Sequence, residues 1–571
     1  MSNGALKFTS SKQTQVNQLK KLYILFLQTL FFIQLSCAQP FSQKGNFTKQ
    51  DTLRGSIGPG RNWWDVLHYS ISVKPDYNTK TINGSVIIKF KWLRPSTTEG
   101  YMQIDLQEPL ILDSVVYENR KLSFERNINV FNIKWPKLDH PEEDQLTFYY
   151  HGKPREAKTP PWDGGWIWTK DAKGRPWMTV ACQGLGASVW YPCKDHQSDE
   201  PDNGATLNVT IPDTLSAVAN GRLSTEKSNG NGTSTWTWDV KSPINNYNIV
   251  PYIGKYVHWS DTYTEENHKD LSLDYWVLDY NLEKSKQQFN RDVKRMLEAF
   301  EYWFGPYPFH DDGFKLVESS HLGMEHQSAT AYGNHYMNGY LGRDLSGSGW
   351  GLKWDYIIVH ESGHEWFGNN ITTNDIADMW IHEGFTMYSE ALFIEYFYGK
   401  QAADEYVQGI RRNISNDKPL IGPYGVNQEG SGDMYNKGAN LLHTIRQIIN
   451  DDSLFRSILR GLNKDFYHKT VNSKDVEGYF SKHSGKDFSK IFDQYLRTTK
   501  IPVLEYSIKG DKISYHWTNC VNGFEMPVRL SDNDEWLNVT TTWKNSTATS
   551  DMLSRGLVVD KNFYITVKKV E

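Results

Sequence analysis

The chain is poor in cysteine, in net charge and in long apolar runs, and each shortage excludes a class of protein. Four cysteines occur in 571 residues, Cys37, Cys182, Cys193 and Cys520, too few for a disulfide-built scaffold. None of them has metal-ligand spacing. Whether Cys182 and Cys193 pair stays open, because spacing alone does not place two Cα atoms within bridging range. The formal net charge of −5 offers no electrostatic footprint for nucleic acid, which calls for a basic patch or stripe. There is no internal repeat, and no long low-complexity tract.

One apolar run exists. Leu22 to Leu35 follows Lys20-Lys21, is interrupted by Gln28, Thr29 and Gln34, and leads into Ser36-Cys37-Ala38. It is shorter than the ~20 apolar residues of a comfortable membrane span. A basic n-region, a short h-region and a small-residue end read as a secretory signal over residues 1–38. A retained signal anchor is one alternative. Lipidation at Cys37 is the other, although Gln34 stands where a lipoprotein site has an aliphatic residue. The expected location is therefore exported: periplasmic, extracellular or membrane-tethered. The mature chain has no intrinsic membrane span unless the signal is retained or lipidated.

Hydrophobic residues make up 38% and charged residues 23% of the chain, a soluble globular balance. The length leaves room for roughly three domains at ~150 residues each. From 39 to 257 the pattern is of strands and turns: Tyr69, Ile71 and Val73 alternate with polar neighbours, and Val86, Ile88, Phe90 and Trp92 do so after an Asn83-Gly84 turn. Near Asn281 the period changes. Leu282 to Phe304 carries Phe289, Val293, Met296, Leu297 and Phe300 close to helical spacing, and Gly305-Pro306 stops it. Helical segments dominate from 258 to 500, and residues 501–571 return to short alternating runs such as Ile513, Tyr515 and Trp517. The fold class is multidomain α+β: an N-terminal β domain, a helical domain with a small sheet, and a short C-terminal β domain.

The chemistry is concentrated in His360-Glu361-Ser362-Gly363-His364. Two histidines at i and i+4 share one helix face, so their imidazoles converge on one ion, and the intervening Glu361 reaches water on that ion. The helix is expected to run on through Trp366-Phe367 to Gly368. Catalytic zinc takes three protein ligands and keeps a fourth position open. Glu383, in His382-Glu383-Gly384-Phe385, opens a second helical stretch and supplies the third ligand. The one-zinc centre is thus His360, His364 and Glu383. Asp378 is expected to orient a ligand histidine.

The eighteen residues between His364 and Glu383, with His364-Glu365-Trp366-Phe367-Gly368-Asn369 and Trp380-Ile381-His382-Glu383-Gly384-Phe385, resemble the gluzincin aminopeptidases, the family of aminopeptidase N and leukotriene hydrolase. The resemblance spans roughly Trp63 to Pro502, and points to a bacterial exported member. It implies that the helical domain is a thermolysin-like zinc catalytic domain. Gly323-Met324-Glu325 resembles the family's Gly-x-Met-Glu-Asn motif, in which the glutamate binds the substrate's α-amine. An ammonium in a partly dry cleft needs a carboxylate to offset its desolvation. His326 departs from the pattern, where Asn is usual. Tyr435, followed by Asn436-Lys437-Gly438-Ala439, resembles the family tyrosine that stabilises the oxyanion. Gln183, in Cys182-Gln183-Gly184, is similar to the family glutamine that reaches towards the amine.

The resemblance implies removal of N-terminal residues from peptides with a free N-terminus. Glu361 acts as general base, Tyr435 stabilises the oxyanion, and Gln183 and Glu325 hold the amine. Met324, beside Gly323, lines the pocket for the first side chain. The sequence stops before the further helical domain that many relatives carry, so an open cleft is expected. Rival readings are another zinc hydrolase of this fold, an endopeptidase or epoxide hydrolase, and a silent peptide-binding scaffold.

Overall fold

A computed structural model describes residues 46–93, 100–135, 142–531 and 535–571. The expected signal at 1–38 lies outside them. An eight-stranded sheet forms the body of the N-terminal part, in spatial order Arg222–Ser228, Thr233–Val240, Ala205–Pro212, Trp64–Asp76, Thr81–Trp92, Glu143–Gly152, Ile111–Tyr117 and Arg120–Leu122. The period-2 pattern decides which face is buried. Tyr69, Ile71, Val73, Val86, Ile88 and Phe90 point inward, while Ile87 and Lys89 are exposed.

The expected Asn83-Gly84 turn is not one. The chain reverses at residues 77–80, where Asp76 Oδ1 accepts from the backbone N–H groups of Asn78 and Thr79, a local bond that favours a turn. Asn83 and Gly84 lie inside a strand. A Cβ at Gly84 would stand 2.6 Å from Ser72 O and 2.7 Å from the Tyr150 hydroxyl, so this glycine answers to close approach rather than to turning.

A second sheet of four strands contains Pro176–Ala181 and Gly165–Lys170. A third, of five strands, runs Tyr256–Thr264, Asp270–Leu278, Phe314–Glu318, Thr330–Tyr332 and Gly323–Met324, the last at its edge. Its two faces belong to different cores. Leu273, Tyr275 and Val277 join the helical core with Phe289, whereas Trp276, Val317, Ala331 and Met324 join the core of the N-terminal β region. The edge strand therefore sits where the two bodies meet.

Among the described residues the α-helices are α1 (Lys49–Gly55), α2 (Leu282–Phe304), α3 (Tyr356–Gly363), α4 (Trp380–Tyr398), α5 (Lys400–Ile410), α6 (Asn436–Ile449), α7 (Asp452–Asp465), α8 (Ser473–Ser484), α9 (Ser489–Arg497) and α10 (Ser550–Arg555). The periodic stretch read from the sequence is α2, which stops at Gly305 with φ +98°, a value glycine adopts freely. Beyond α9, strands Val503–Lys509 and Lys512–Thr518 bury Leu504, Ile513 and Trp517 against the helical core. Cys182 and Cys193 are buried free thiols, and Cys520 is also free. Among the described residues, no helix is long and apolar enough to cross a membrane.

Candidate active site

Helix α3 starts from a fixed point. Asp355 caps it by accepting from Ile357 N and Ile358 N, and its carboxylate also takes hydrogen bonds from Gln288 Nε2, the Tyr332 hydroxyl and Asn334 Nδ2. A cap of this kind satisfies N–H groups that a helix start otherwise leaves bare. The helix ends sooner than the sequence implies: it stops at Gly363, with His364 as its C-cap, and Trp366-Phe367 lie beyond it. The next N–H bonds, Glu365 to Ser362 O and Trp366 to Gly363 O, reach back three positions instead of four and tighten the last turn. A Cβ at Gly363 would come within 2.7 Å of Ser389 Oγ on α4, so the two ligand helices touch here.

This geometry brings His360, His364 and Glu383 together. Their ligand atoms lie within 4.8 Å of one another, with Glu383 Oε2 at 3.3 Å from His364 Nε2 and 3.8 Å from His360 Nε2. Two atoms each bound at ~2.0–2.1 Å to one tetrahedral ion stand about 3.3 Å apart. Glu383 Oε2 is buried and has no hydrogen-bond partner. Burial alone would raise the Glu383 carboxyl, but His364 and His360 outweigh it and hold it well below the ordinary carboxylate range. Two imidazole nitrogens and one ionised carboxylate oxygen, with a fourth position open, fit zinc.

The outer nitrogens are also engaged. His360 Nδ1 meets Glu390 Oε1 at 2.6 Å, and His364 Nδ1 donates to Phe367 O at 3.0 Å. Each bond leaves Nε2 as the lone-pair nitrogen available to an ion. The expected partner, Asp378, is elsewhere. It accepts from the Tyr424 hydroxyl at 2.7 Å and from Ser473 Oγ and N, anchoring the start of α4 to the start of α8. Glu390 takes the role instead, because it lies seven residues after Glu383 on one helix face. Its trace in the sequence is a glutamate inside a stretch that is buried throughout, Trp380 to Ile394, where a carboxylate needs a partner.

Glu361 lies against the edge strand. A Cβ at Gly323 would come 2.6 Å from Glu361 Oε1 and 3.0 Å from its Cγ, so glycine lets the strand approach this carboxylate. Burial pushes the Glu361 carboxyl up to about 7, with His360 and His364 opposing and Glu325 and Glu383 adding to it. Met324, next along, is 6% exposed and sits in the N-terminal core.

Glu325 is buried and has partners from the other body. Gln183 Nε2 donates to Glu325 Oε1 at 2.6 Å, and the Tyr247 hydroxyl donates to the same oxygen at 2.7 Å. Gln183 stands in a turn closed by Leu185 N to Gln183 O and Gly186 N to Cys182 O. Asn369 Nδ2 donates to Glu325 O at 2.8 Å, and Asn248 Nδ2 donates to Asn369 Oδ1 at 2.7 Å. Burial raises the Glu325 carboxyl, against the pull of His364. Tyr247 carries no family motif in the sequence, and only its place in space marks it.

His326, the departure from the motif, faces away from this carboxylate. Its Nδ1 bonds the Tyr252 hydroxyl, which itself donates to Ala329 O at 2.9 Å. Burial holds its pKa well below the usual range, with His321 adding to the effect, so the ring stays neutral.

Tyr435 reaches the metal ligands through a contact between glycines. Its ring stacks on that of His360, with centroids 6.1 Å apart and planes at 23°. Three residues on, a Cβ at Gly438 would stand 2.8 Å from Gly384 Cα, the residue after the third ligand. Only glycine at both positions lets α6 lie so close to α4. Lys437, buried, donates from Nζ to Thr498 O at 2.8 Å just past α9. The sequence run after Tyr435 is therefore a helix-contact and anchoring device.

The family models agree with this architecture. The Peptidase M1 N-terminal domain matches residues 66–247 and the Peptidase family M1 domain matches residues 287–495. Aminopeptidase 2, mitochondrial, of Saccharomyces cerevisiae is 22% identical over 487 residues, covering 79% of this chain and 48% of that protein. Endoplasmic reticulum aminopeptidase 1 of Mus musculus is 26% identical over 462 residues, covering 74% and 47%. The chain spans about half the length of such curated relatives. Among solved structures, a mutant M1 zinc metallopeptidase of Deinococcus radiodurans bound to a Tyr-Ser-Ala substrate superposes with a TM-score of 0.63 at 20% identity, covering 78% of this chain and 96% of that one.

Proposed function

Because the chain belongs to the M1 peptidase family, we propose that it is a zinc-dependent aminopeptidase, hydrolysing the N-terminal peptide bond of peptides. The observation that carries the reading is the position of Glu325, a buried carboxylate with a ligand atom within 4.8 Å of those of Glu361 and His364. A substrate whose α-ammonium sits on Glu325 brings only its first peptide bond to the metal ligands.

His360, His364 and Glu383 would hold the zinc, which when bound supplies Lewis acidity towards the scissile carbonyl and towards water. Glu361 takes the proton of the attacking water and delivers it to the leaving amine, a task for a carboxylate placed beside the His364 ligand. Tyr435 donates its hydroxyl hydrogen bond to the charge that develops on the carbonyl oxygen. Gln183 and Glu325 bind the ammonium, and Glu390 keeps the His360 ring in its ligating tautomer. Export belongs to the reading as well, supported by Lys20-Lys21, the apolar run and Ser36-Cys37-Ala38.

The test compares leucine p-nitroanilide with its N-acetyl form on purified protein, with metal analysis alongside. The reading requires one zinc per chain, loss of activity to a chelator, restoration by zinc, and cleavage of the free amine alone. Equal cleavage of both anilides would defeat it.

A further inference from the structure

The carboxylate of Glu325 is held asymmetrically. Gln183 Nε2 and the Tyr247 hydroxyl both donate to Oε1, at 2.6 Å and 2.7 Å. Among the described residues, no hydrogen bond from another residue reaches Oε2. An ionised carboxylate offers about two acceptor positions on each oxygen, so Oε1 is filled and Oε2 is open to a ligand.

The two donors come from separate parts of the β region, and the backbone of Tyr247 is firmly anchored. Tyr247 is 3% exposed and lies in the tight turn Asn246–Asn248. That turn is tied on every side: Asn245 Oδ1 accepts from Tyr247 N, Cys182 Sγ donates to Tyr247 O, Asn246 Nδ2 donates to Lys194 O, and Asn248 Nδ2 donates to Asn369 Oδ1. This set fixes the backbone from which the buried ring projects. Burial first, and the Glu325 charge second, push the phenol far above its usual pKa, so it remains a donor.

We propose that Tyr247 is a positioning residue of the amine site: by holding Oε1 together with Gln183, it turns Oε2 of Glu325 towards the α-ammonium of the substrate. This rests on the aminopeptidase reading. Without the hydroxyl the charge of Glu325 survives, but Gln183 alone then holds Oε1 and the carboxylate rotates more easily. The loss should therefore appear in binding of the amine and hardly at all in the chemical step.

The experiment uses the zinc-loaded full chain. In a Glu361→Gln background, which prevents turnover, calorimetry compares L-leucine amide with N-acetyl-L-leucine amide, with and without Tyr247→Phe. Steady-state kinetics on leucine p-nitroanilide follow Tyr247→Phe alone. Removing one hydrogen bond to a charged group is expected to weaken leucine amide about ten-fold and raise KM about ten-fold, with kcat within about three-fold. In a Glu325→Gln background Tyr247→Phe should add less than about two-fold, because it acts through that carboxylate.

Leucine amide affinity within two-fold of the parent in Tyr247→Phe would overturn the proposal, as would a full additive effect in the Glu325→Gln background. If the parent itself does not prefer leucine amide to its N-acetyl form, the amine site fails, and the role of Tyr247 falls with it. Should Tyr247→Phe not fold, Gln183→Leu removes the other donor to Oε1, and unchanged leucine amide affinity there would count equally against the clamp.

Discussion

On the metal side of the site, His360, His364 and Glu383 come from two consecutive helices of one body. On the proposed amine side, Gln183, Tyr247 and Glu325 come from three segments, and the hydrogen bonds that join them span 142 and 78 residues of chain. The metal half is a local device whose parts are placed by helical geometry. The amine half exists only when the β region docks on the five-stranded sheet. A loosened interface should therefore cost substrate binding before it costs metal.

The largest effect belongs to the chemistry itself. Glu361→Gln should lower kcat by about 10³-fold, within the range for a lost general base, while zinc content stays at one per chain. Near-normal hydrolysis would remove Glu361 from its role. Next comes the amine side: Glu325→Ala should lower kcat/KM for leucine p-nitroanilide about 10²-fold, mostly through KM, the scale of truncating one partner of a buried charge pair. Zinc content unchanged in that variant would confirm that the two halves are separable, and loss of zinc would break the comparison.

On the metal side, Glu390→Ala should weaken zinc binding by about 10–100-fold, as removal of a ligand's hydrogen-bonding partner generally does, measured by competition with a chelator. Gly438→Ala forces a methyl to within 2.8 Å of Gly384 Cα, and should cost about 1–3 kcal/mol of stability. It should also lower kcat while leaving KM near its parent value, because Tyr435 moves with α6. In a Tyr435→Phe background the kcat effect should shrink, and a persistent one would mean that the glycine contact acts on the ligands instead. The smallest effect on the site is expected from Asp378→Ala: zinc affinity within about two-fold, with a stability loss of ~1–3 kcal/mol from the partners left unpaired, read from chemical denaturation.

Much of the fold was legible. Helix α2 follows from its apolar spacing, and the inward set Tyr69, Ile71, Val73 follows from alternation. The errors share one cause, which is that a local pattern was overruled by a distant neighbour. Gly84 reads as a turn but is a strand glycine opposite Tyr150. Helix α3 reads on to Gly368 but ends at Gly363, where α4 comes close. Asp378 reads as the histidine's partner through nearness in sequence, but two turns along α4 Glu390 faces the ring. His326, the irregular residue of the amine motif, bonds Tyr252 and leaves the carboxylate to others.

What the sequence determined by itself is the metal half. The i, i+4 geometry of a helix places His360 and His364 on one face, and eighteen residues suffice to bring Glu383 back alongside. Those donors fit zinc. Only the tertiary structure decided that Tyr247 and Gln183 share one oxygen of Glu325, that Glu390 sets the His360 tautomer, and that a glycine pair carries Tyr435 to the metal ligands. These contacts depend on how separately formed surfaces meet, and nothing in local periodicity encodes which atoms will face one another across such a junction.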